Sequence, residues 1–143
     1  MSNKQLKIIR GIPGSGKTTY VNENYPEAFV CSADDYFEEV ADLNDTSYAE
    51  EFKPWLVGKA HQHCWGSFIH AVVVMDEPLV VVDNTNTNKW ECDNYGFLAE
   101  LMGYEVEIVE IPFEADKAEV YHERNTHGVP LEVIQRMIEH YES

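Results

Sequence analysis

The fold of this chain is decided by one stretch near its beginning, Lys7-Ile8-Ile9-Arg10-Gly11-Ile12-Pro13-Gly14-Ser15-Gly16-Lys17-Thr18-Thr19. The stretch matches G-x-x-x-x-G-K-S/T, the loop that binds phosphate groups in nucleotide-binding proteins. An apolar run over residues 6–9 predicts a buried strand before the loop, and residues 18–24 predict the start of a helix after it. Strand, glycine turn and helix in this order are the context that the motif requires.

The residue types of the loop suit the phosphates of a nucleotide. Glycines let the backbone turn its N–H groups toward phosphate oxygens, and the N-terminus of the following helix favours the same negative charge. Lys17 supplies a mobile positive charge for the β- and γ-phosphates, and the Thr18 hydroxyl is a ligand for Mg²⁺. The predicted nucleotide-binding set is Gly11, Pro13, Gly14, Ser15, Gly16, Lys17, Thr18 and Thr19. The alternative is a glycine-rich turn that binds no nucleotide.

Length and composition indicate one small domain with a large excess of negative charge. The 143 residues fit a single domain, residues 1–143, and the net charge at pH 7 is −16. No Lys or Arg lies between Lys17 and Lys53, so this part of the surface is expected to repel long nucleic acids. The alternative is that the acidity only keeps the surface solvated.

The sequence gives no sign of export, of a membrane span or of a structural zinc site. No apolar run is long enough to cross a bilayer, and Met1-Ser2-Asn3-Lys4 lacks the apolar stretch of a signal peptide. The three cysteines are an odd number at unrelated spacings, which favours a reduced, cytoplasmic protein. On a helix, His61 and His63 lie about 160° apart and cannot share a metal ion. We expect His61 to be a hydrogen-bonded core residue.

Strand-like and helix-like patterns alternate along the rest of the chain. Further strands are predicted over residues 28–32, 79–82 and 106–111. Helices are predicted from Pro54, over residues 90–102 and 114–123, and from Pro130. A polar loop is predicted over residues 42–47. Because alternating strands and helices form a parallel sheet, we predict an α/β fold with about four strands and with its ligands beyond their carboxyl ends.

Two acids follow the second predicted strand at this edge of the sheet. Phosphoryl transfer to an alcohol needs a carboxylate to accept the hydroxyl proton, and Asp34, rather than Asp35, is the candidate for this base. The alternative is that both are solvated loop acids, or that one of them caps a helix beginning near Tyr36.

The segment after the third strand and a loop near the end of the chain complete the candidate site. Asp83 ends an apolar strand, where an acid holds magnesium directly or through water, and a turn aspartate is the alternative. The side chains of Asn84, Thr85 and Asn86 either hydrogen-bond the acceptor or hold their loop. Arg124 either places a cation on the transferred phosphoryl group from a closing loop, or faces the C-terminus of its own helix.

The order of the motifs along the chain carries a resemblance. They are Gly11-Ile12-Pro13-Gly14-Ser15-Gly16-Lys17-Thr18, Ser32-Ala33-Asp34-Asp35-Tyr36-Phe37, Ala60-His61-Gln62-His63-Cys64, Val82-Asp83-Asn84-Thr85-Asn86, Trp90-Glu91 and Arg124-Asn125-Thr126-His127-Gly128-Val129-Pro130. This ordered set resembles the NEDD4-binding-protein-2-like P-loop kinases, relatives of the bacteriophage polynucleotide 5′-hydroxyl kinase domain. The similarity runs from the first strand to the last helix and is far more specific than the phosphate loop alone.

The resemblance implies a three-layer P-loop kinase fold of the adenylate-kinase type, with a small lid at about residues 113–129. It implies ATP and Mg²⁺ as cofactors and transfer of the γ-phosphate to a hydroxyl. The catalytic residues are then Lys17, Asp34 and Arg124, and Arg124 also binds the nucleotide as a lid residue. The metal ligands predicted above from the residues, Thr18 and Asp83, the latter directly or through water, agree with these cofactors. The resemblance makes residues 83–86 part of the active site, and the predicted acceptor contacts are Asp35, Asn84, Thr85 and Asn86.

Two departures from the phage pattern bear on the acceptor. Phe37 stands where that pattern carries an arginine that helps to hold the phosphate of the acceptor strand, and the lid is shorter and offers His127. We predict a kinase for a hydroxyl of a nucleic-acid end or a nucleotide-like acceptor, with a polynucleotide 5′-hydroxyl as first choice. The alternatives are a kinase for a nucleoside, a hydroxymethylated base or another small uncharged acceptor, and an ATP-binding or ATPase module without an acceptor. The sequence leaves the oligomeric state open.

Overall fold

The structure, a computed structural model, describes residues 3–125 and 127–142, and within them it forms one parallel sheet of four strands. The strands are β1 (Gln5–Arg10), β2 (Phe29–Cys31), β3 (Leu79–Asp83) and β4 (Glu105–Glu110). Their order across the sheet is β2-β3-β1-β4, and every neighbouring pair is parallel. Ile9 of β1 lies opposite Asp83 of β3, so the segments that follow these two strands begin side by side. The predicted four-stranded parallel sheet is confirmed.

Helices fill the connections between the strands and follow the last strand. They are α1 (Lys17–Asn24), α2 (Asp34–Asn44), α3 (Tyr48–Glu51), α4 (Val57–Ile69), α5 (Lys89–Leu101), α6 (Ala118–Arg124) and α7 (Leu131–Glu139). Short 3-10 turns, Pro54–Leu56 and Ala115–Lys117, lead into α4 and α6, and a π-helical turn, His70–Val74, follows α4. Thr126, which the predicted lid includes, lies outside the described residues, as do Met1, Ser2 and Ser143.

Helices cover both faces of the sheet, which gives the predicted three layers. On one face, Leu6 and Ile8 of β1 pack with α4 and α5 in the larger core. On the other face, Ile9 and Val81 pack with Val21 of α1. Because successive side chains of a strand point to opposite faces, the unbroken apolar runs of β1 and β3 supply both cores at once.

The segment between β2 and α4 is more helical than the sequence predicted. α2 continues to Asn44, through part of the predicted polar loop, because Phe37 and Ala41 are one helical turn apart and both buried. Asp45, at φ 55, ends this helix in the left-handed region. α3 then begins at a capping box in which Ser47 accepts a hydrogen bond from the backbone N–H of Glu50.

The prediction for His61 is wrong. His61 lies on the exposed side of α4, whereas the buried residues of that helix are Ala60, Cys64 and Phe68. These three recur every four residues and form a narrow buried stripe that does not include His61.

Arg10, at the end of β1, is a buried charge to which the sequence assigned no role. It is 3% exposed, and its guanidinium donates to the backbone carbonyl oxygens of Asn86, Thr87 and Glu142. The same group lies 2.7 Å from the Glu110 carboxylate at the end of β4. Arg10 therefore fastens the loop after β3 and the segment after α7 to the strand that leads into the phosphate loop.

Candidate active site

The phosphate loop joins β1 to α1 as predicted. Gly14 and Gly16 have φ +79° and +100°, values that residues with a side chain rarely adopt. Gly16 is the residue before the first turn of α1, so the unpaired N–H groups of that turn lie at the end of the loop. The N–H of Gly11 donates to the Thr85 carbonyl at 3.0 Å, which ties the start of the loop to the segment after β3.

The backbone of α6 lies against the phosphate loop at Gly14. A Cβ built on Gly14 would lie 2.0 Å from the carbonyl oxygen of Tyr121, closer than any real contact. Tyr121 also packs with Ile12 of the loop and Ile134 of α7 in a small separate core. The predicted lid therefore contacts the loop through its helix, and the close approach requires glycine at position 14.

Lys17, Thr18 and Asp83 meet at the carboxyl edge of the sheet. Asp83 is buried at the end of β3, and its Oδ2 lies 3.5 Å from the hydroxyl oxygen of Thr18. Burial lowers the pKa of the Lys17 amine, and the negative charge of Asp83 opposes this change. Burial likewise raises the pKa of Asp83, against the attraction of Lys17 and the hydrogen bond from Thr18. The structure thus brings together one cation, one hydroxyl and one acid from the predicted set.

One oxygen of Asp83 has no hydrogen-bond partner in the described part of the chain. This oxygen, Oδ1, is buried, while Oδ2 of the same carboxyl faces Thr18. A buried acceptor without a partner is unfavourable, and a hydroxyl with a carboxylate offers the hard oxygen ligands that Mg²⁺ takes. The residues at this point therefore fit the predicted magnesium ion.

Asp34 is the first residue of α2 and lies at the same edge. Its Oδ1 accepts a hydrogen bond from the Tyr48 hydroxyl at 2.6 Å, and its backbone N–H donates to Ser32 Oγ at 3.2 Å. Its negative charge acts on the pKa of both Lys17 and Asp83, so the carboxylate lies near both. Asp34 therefore lies in a helix, beside Lys17 and Asp83, with its side chain 47% exposed, and its role as the base stays a prediction.

Asp35, the second residue of α2, lies in a more acidic environment. Burial, followed by the negative charges of Glu38, Glu39 and Asp34, raises the pKa of Asp35 from 3.8 to about 6, against a backbone hydrogen bond at Ser32 that lowers it. Contact of Asp35 with the acceptor stays a prediction.

Asp35→Asn is expected to stabilise the protein at neutral pH. Because the pKa of Asp35 is raised in the folded state, folding binds the proton more tightly than the unfolded chain does, and stability falls as pH rises from 3.8 through about 6. After allowance for solvent screening and for the opposing helix dipole, the gain at pH 7.5 is about 1 kcal/mol, or about 4 °C in Tm. Thermal unfolding from pH 5 to 7.5 checks this.

The gain should shrink toward pH 5, and Asp93→Asn, which removes an exposed acid from α5, should show no such pH dependence. An Asp35→Asn variant less stable than the wild type at pH 7.5 would contradict the expectation.

The side chains of Asn84 and Asn86 contact the protein itself. Asn84 Oδ1 accepts a hydrogen bond from the N–H of Ala33 at 2.8 Å, and Asn86 Nδ2 donates to the Ile9 carbonyl at 2.8 Å. These bonds join the segments after β1, β2 and β3, and the Thr85 carbonyl adds the bond from the phosphate loop. The contacts match the loop-holding role that the sequence offered as one of two, and acceptor binding by these residues stays a prediction.

Arg124 is the last residue of α6, and its side chain is exposed. No ion pair to Arg124 is present among residues 3–125 and 127–142. It lies three residues after Tyr121, whose backbone contacts Gly14. Its action on the nucleotide and on the transferred phosphoryl group stays a prediction.

His127, in the loop after α6, contacts residues of the cluster in a way that the sequence did not predict. Its Nδ1 lies 3.5 Å from Asp34 Oδ2, and its Nε2 lies 3.2 Å from Glu38 Oε1. Its ring stacks on Tyr48 with centroids 4.2 Å apart. Tyr48 and Glu38 carry no motif of their own, and the only available signal was the position of a histidine in the predicted lid.

Two further observations on the described residues concern clusters of metal-ligating side chains and membrane spans. Within residues 3–125 and 127–142, no group of three or more His, Cys, Asp or Glu side chains is placed to hold a metal ion. In the same part of the chain, every helix is too short or too polar to cross a bilayer.

Comparison with solved structures and with characterised proteins agrees with this geometry. The chain superposes on a gluconokinase from Sinorhizobium meliloti 1021 with a TM-score of 0.57 and 16% identity, over 100% of this chain and 78% of that one. This match confirms the predicted three-layer α/β fold of a P-loop kinase.

The chain is 33% identical over 141 residues to human NEDD4-binding protein 2, covering 96% of this chain and 8% of that protein. It is 28% identical over 155 residues to rat YLP motif-containing protein 1, covering 95% of this chain and 11% of that protein. It therefore spans only a small part of both relatives. The family described as "AAA domain" matches residues 6–143. The chain belongs to this AAA domain family and is a P-loop kinase-like domain related to NEDD4-binding protein 2.

Proposed function

We propose that this chain is an ATP-dependent phosphotransferase that moves the γ-phosphate of ATP to a hydroxyl group, with a polynucleotide 5′-hydroxyl as the first acceptor. The observation that carries the proposal is the position of Asp34, whose charge acts on both Lys17 and Asp83. A nucleotide-binding switch needs the phosphate loop and the metal ligands, but it has no need for a second carboxylate at this place. Three buried free cysteines support a reducing, cytoplasmic setting.

Each residue of the cluster has a separate task in the proposed reaction. The N–H groups of the phosphate loop and Lys17 bind the phosphates. The acceptor oxygen forms a bond to the γ-phosphorus, the bond from that phosphorus to the bridging oxygen of ADP breaks, and the hydroxyl proton passes to Asp34. Arg124 would place its charge on the transferred group. Thr18 and Asp83 would hold Mg²⁺, which would supply positive charge to the phosphates.

The surroundings of Asp34 favour an acceptor with little negative charge beside its reacting hydroxyl. Asp35, Glu38 and Glu39 lie on the first two turns of α2, and the pKa of Asp35 is raised by burial first and then by the negative charges of Glu38 and Glu39. A 5′-hydroxyl end meets this condition because its first phosphate lies on the far side of the sugar. The same acidity supports the second candidate, a kinase for a nucleoside, a hydroxymethylated base or another small uncharged hydroxyl compound.

The proposal is tested by transfer of label from γ-labelled ATP, with Mg²⁺, to a panel of acceptors. The panel contains DNA and RNA oligomers with 5′-hydroxyl ends, a duplex with a hydroxymethylated base, free nucleosides and gluconate, with Lys17→Ala as the blank. Gluconate is included because the structural neighbour is named a gluconokinase. Label on an oligomer, with an apparent affinity that falls steeply with salt, supports the first candidate.

Label only on a small neutral compound, with little salt dependence, supports the second candidate. ATP hydrolysis at a rate that no acceptor changes would overturn both and leave an ATP-binding or ATPase module.

A further inference from the structure

We infer that His127 is a positioning residue for the Asp34 carboxylate. Its ring contacts one oxygen of that carboxylate, and the Tyr48 hydroxyl donates a hydrogen bond to the other. The inference rests on the proposed function, in which Asp34 accepts the proton of the acceptor. The two contacts come from separate elements, since Tyr48 begins α3 and His127 follows α6. A carboxylate on the first turn of a helix is thereby held from two sides.

The distances define the arrangement. Tyr48 donates to Asp34 Oδ1 at 2.6 Å, and His127 Nδ1 lies 3.5 Å from Asp34 Oδ2. Each carboxylate oxygen has two lone pairs, so one contact on each oxygen leaves a lone pair free for the hydroxyl of an acceptor. The carboxylate is therefore restrained in orientation while it stays able to accept a proton.

The imidazole ring is itself held in place. Its second nitrogen, Nε2, lies 3.2 Å from Glu38, and the Tyr48 ring stacks on its face at 4.2 Å. Tyr48 stacks in turn on Phe52, with centroids 5.9 Å apart and planes 14° apart. A base whose supporting groups are themselves packed keeps the geometry that proton transfer needs, and a misplacement of about 1 Å costs about 100-fold in rate.

The charges around the ring also favour this position. Asp34 and Glu38 face the two ring nitrogens from α2, Tyr48 faces the ring from α3, and His127 is close enough to Asp83 of β3 to act on its pKa. Nε2 lies at hydrogen-bond distance from Glu38, and Nδ1 lies at ion-pair distance from Asp34. The acidic side chains of α2 on both sides of the ring therefore favour its position between them.

The test compares His127→Ala and His127→Gln with the wild type. Against the best acceptor of the panel, His127→Ala should lower kcat about 10- to 100-fold with the KM for ATP within about twofold, and His127→Gln, which keeps one donor, should recover part of the loss. His122→Ala, which removes an exposed histidine from α6, is the matched control and should leave kcat unchanged.

A second readout does not depend on activity. In NMR spectra of the histidine rings, the His127 signals should move on Asp34→Asn and on Glu38→Gln, but not on Asp93→Asn. The inference would be overturned by an unchanged kcat in His127→Ala, or by His127 ring signals that stay at the same chemical shift in Asp34→Asn. If the wild type transfers no label while the ring signals do respond, the proposed function fails and the pairing of His127 with α2 stands as a structural contact.

Discussion

Asp34→Asn is expected to lower the rate of γ-phosphate transfer about 10²- to 10⁴-fold while it leaves the affinity for ATP within about twofold. The amide has the size of the carboxylate and still offers Oδ1 to the Tyr48 hydroxyl, so the packing around α2 and α3 is preserved. It cannot take up a proton, and the acceptor oxygen then attacks as a neutral hydroxyl. The loss falls on the chemical step because the phosphates are held by the loop and by Lys17.

Single-turnover transfer and equilibrium binding of a fluorescent ATP analogue measure the two quantities separately. Asp35→Asn is the matched control, because it makes the same chemical change at the next residue of the same helix turn. We expect this control to transfer label within about tenfold of the wild type. Equal losses of transfer rate in both variants would mean that the transfer depends on the total negative charge of this helix turn, and that neither acid acts as the base.

Gly14→Ala is expected to destabilise the protein by about 3 kcal/mol and to separate α6 from the phosphate loop. The new Cβ would lie 2.0 Å from the carbonyl oxygen of Tyr121, which is backbone and cannot turn aside. The φ of +79° adds strain of about 1–2 kcal/mol for any residue with a side chain. Thermal unfolding and hydrogen exchange of the α6 amides report the two effects.

The variant Gly16→Ala distinguishes the backbone strain of a positive φ from the steric clash with Tyr121. Gly16 also has a positive φ, of +100°, but a Cβ there meets no atom within 4 Å. This variant should lose stability through strain alone and leave the exchange of the α6 amides unchanged. Faster exchange of α6 in Gly16→Ala as well would show that the loop, and not the contact with Tyr121, holds the helix.

The phosphate loop and the sheet were predictable because the information for both is local. A buried strand needs only a short apolar run, and the run before Asp83 is buried throughout β3 apart from its first residue. The strand ends then follow, since a parallel sheet brings its carboxyl ends to one edge. This is why Lys17 and Asp83 were assigned to one site from residue order alone.

The contacts of His127 were not predictable because they depend on how distant elements pack. The same is true of α2, where the polar residues after Ala41 favoured a loop, and the burial of Phe37 kept the chain helical. His61 was wrongly predicted to be buried. Helical periodicity indicates which side of a helix is apolar, but it does not indicate how much of that side is covered by neighbouring elements.

The most direct test of the account is a single turnover of enzyme-bound γ-labelled ATP with a 5′-hydroxyl oligomer, in the wild type and in Asp34→Asn. We predict that the wild type places the label on the oligomer, and that Asp34→Asn binds ATP but leaves the label there on the same time scale. Release of the label as inorganic phosphate, at one rate with or without acceptor and in both proteins, would contradict the central claim that Asp34 activates a hydroxyl for phosphoryl transfer.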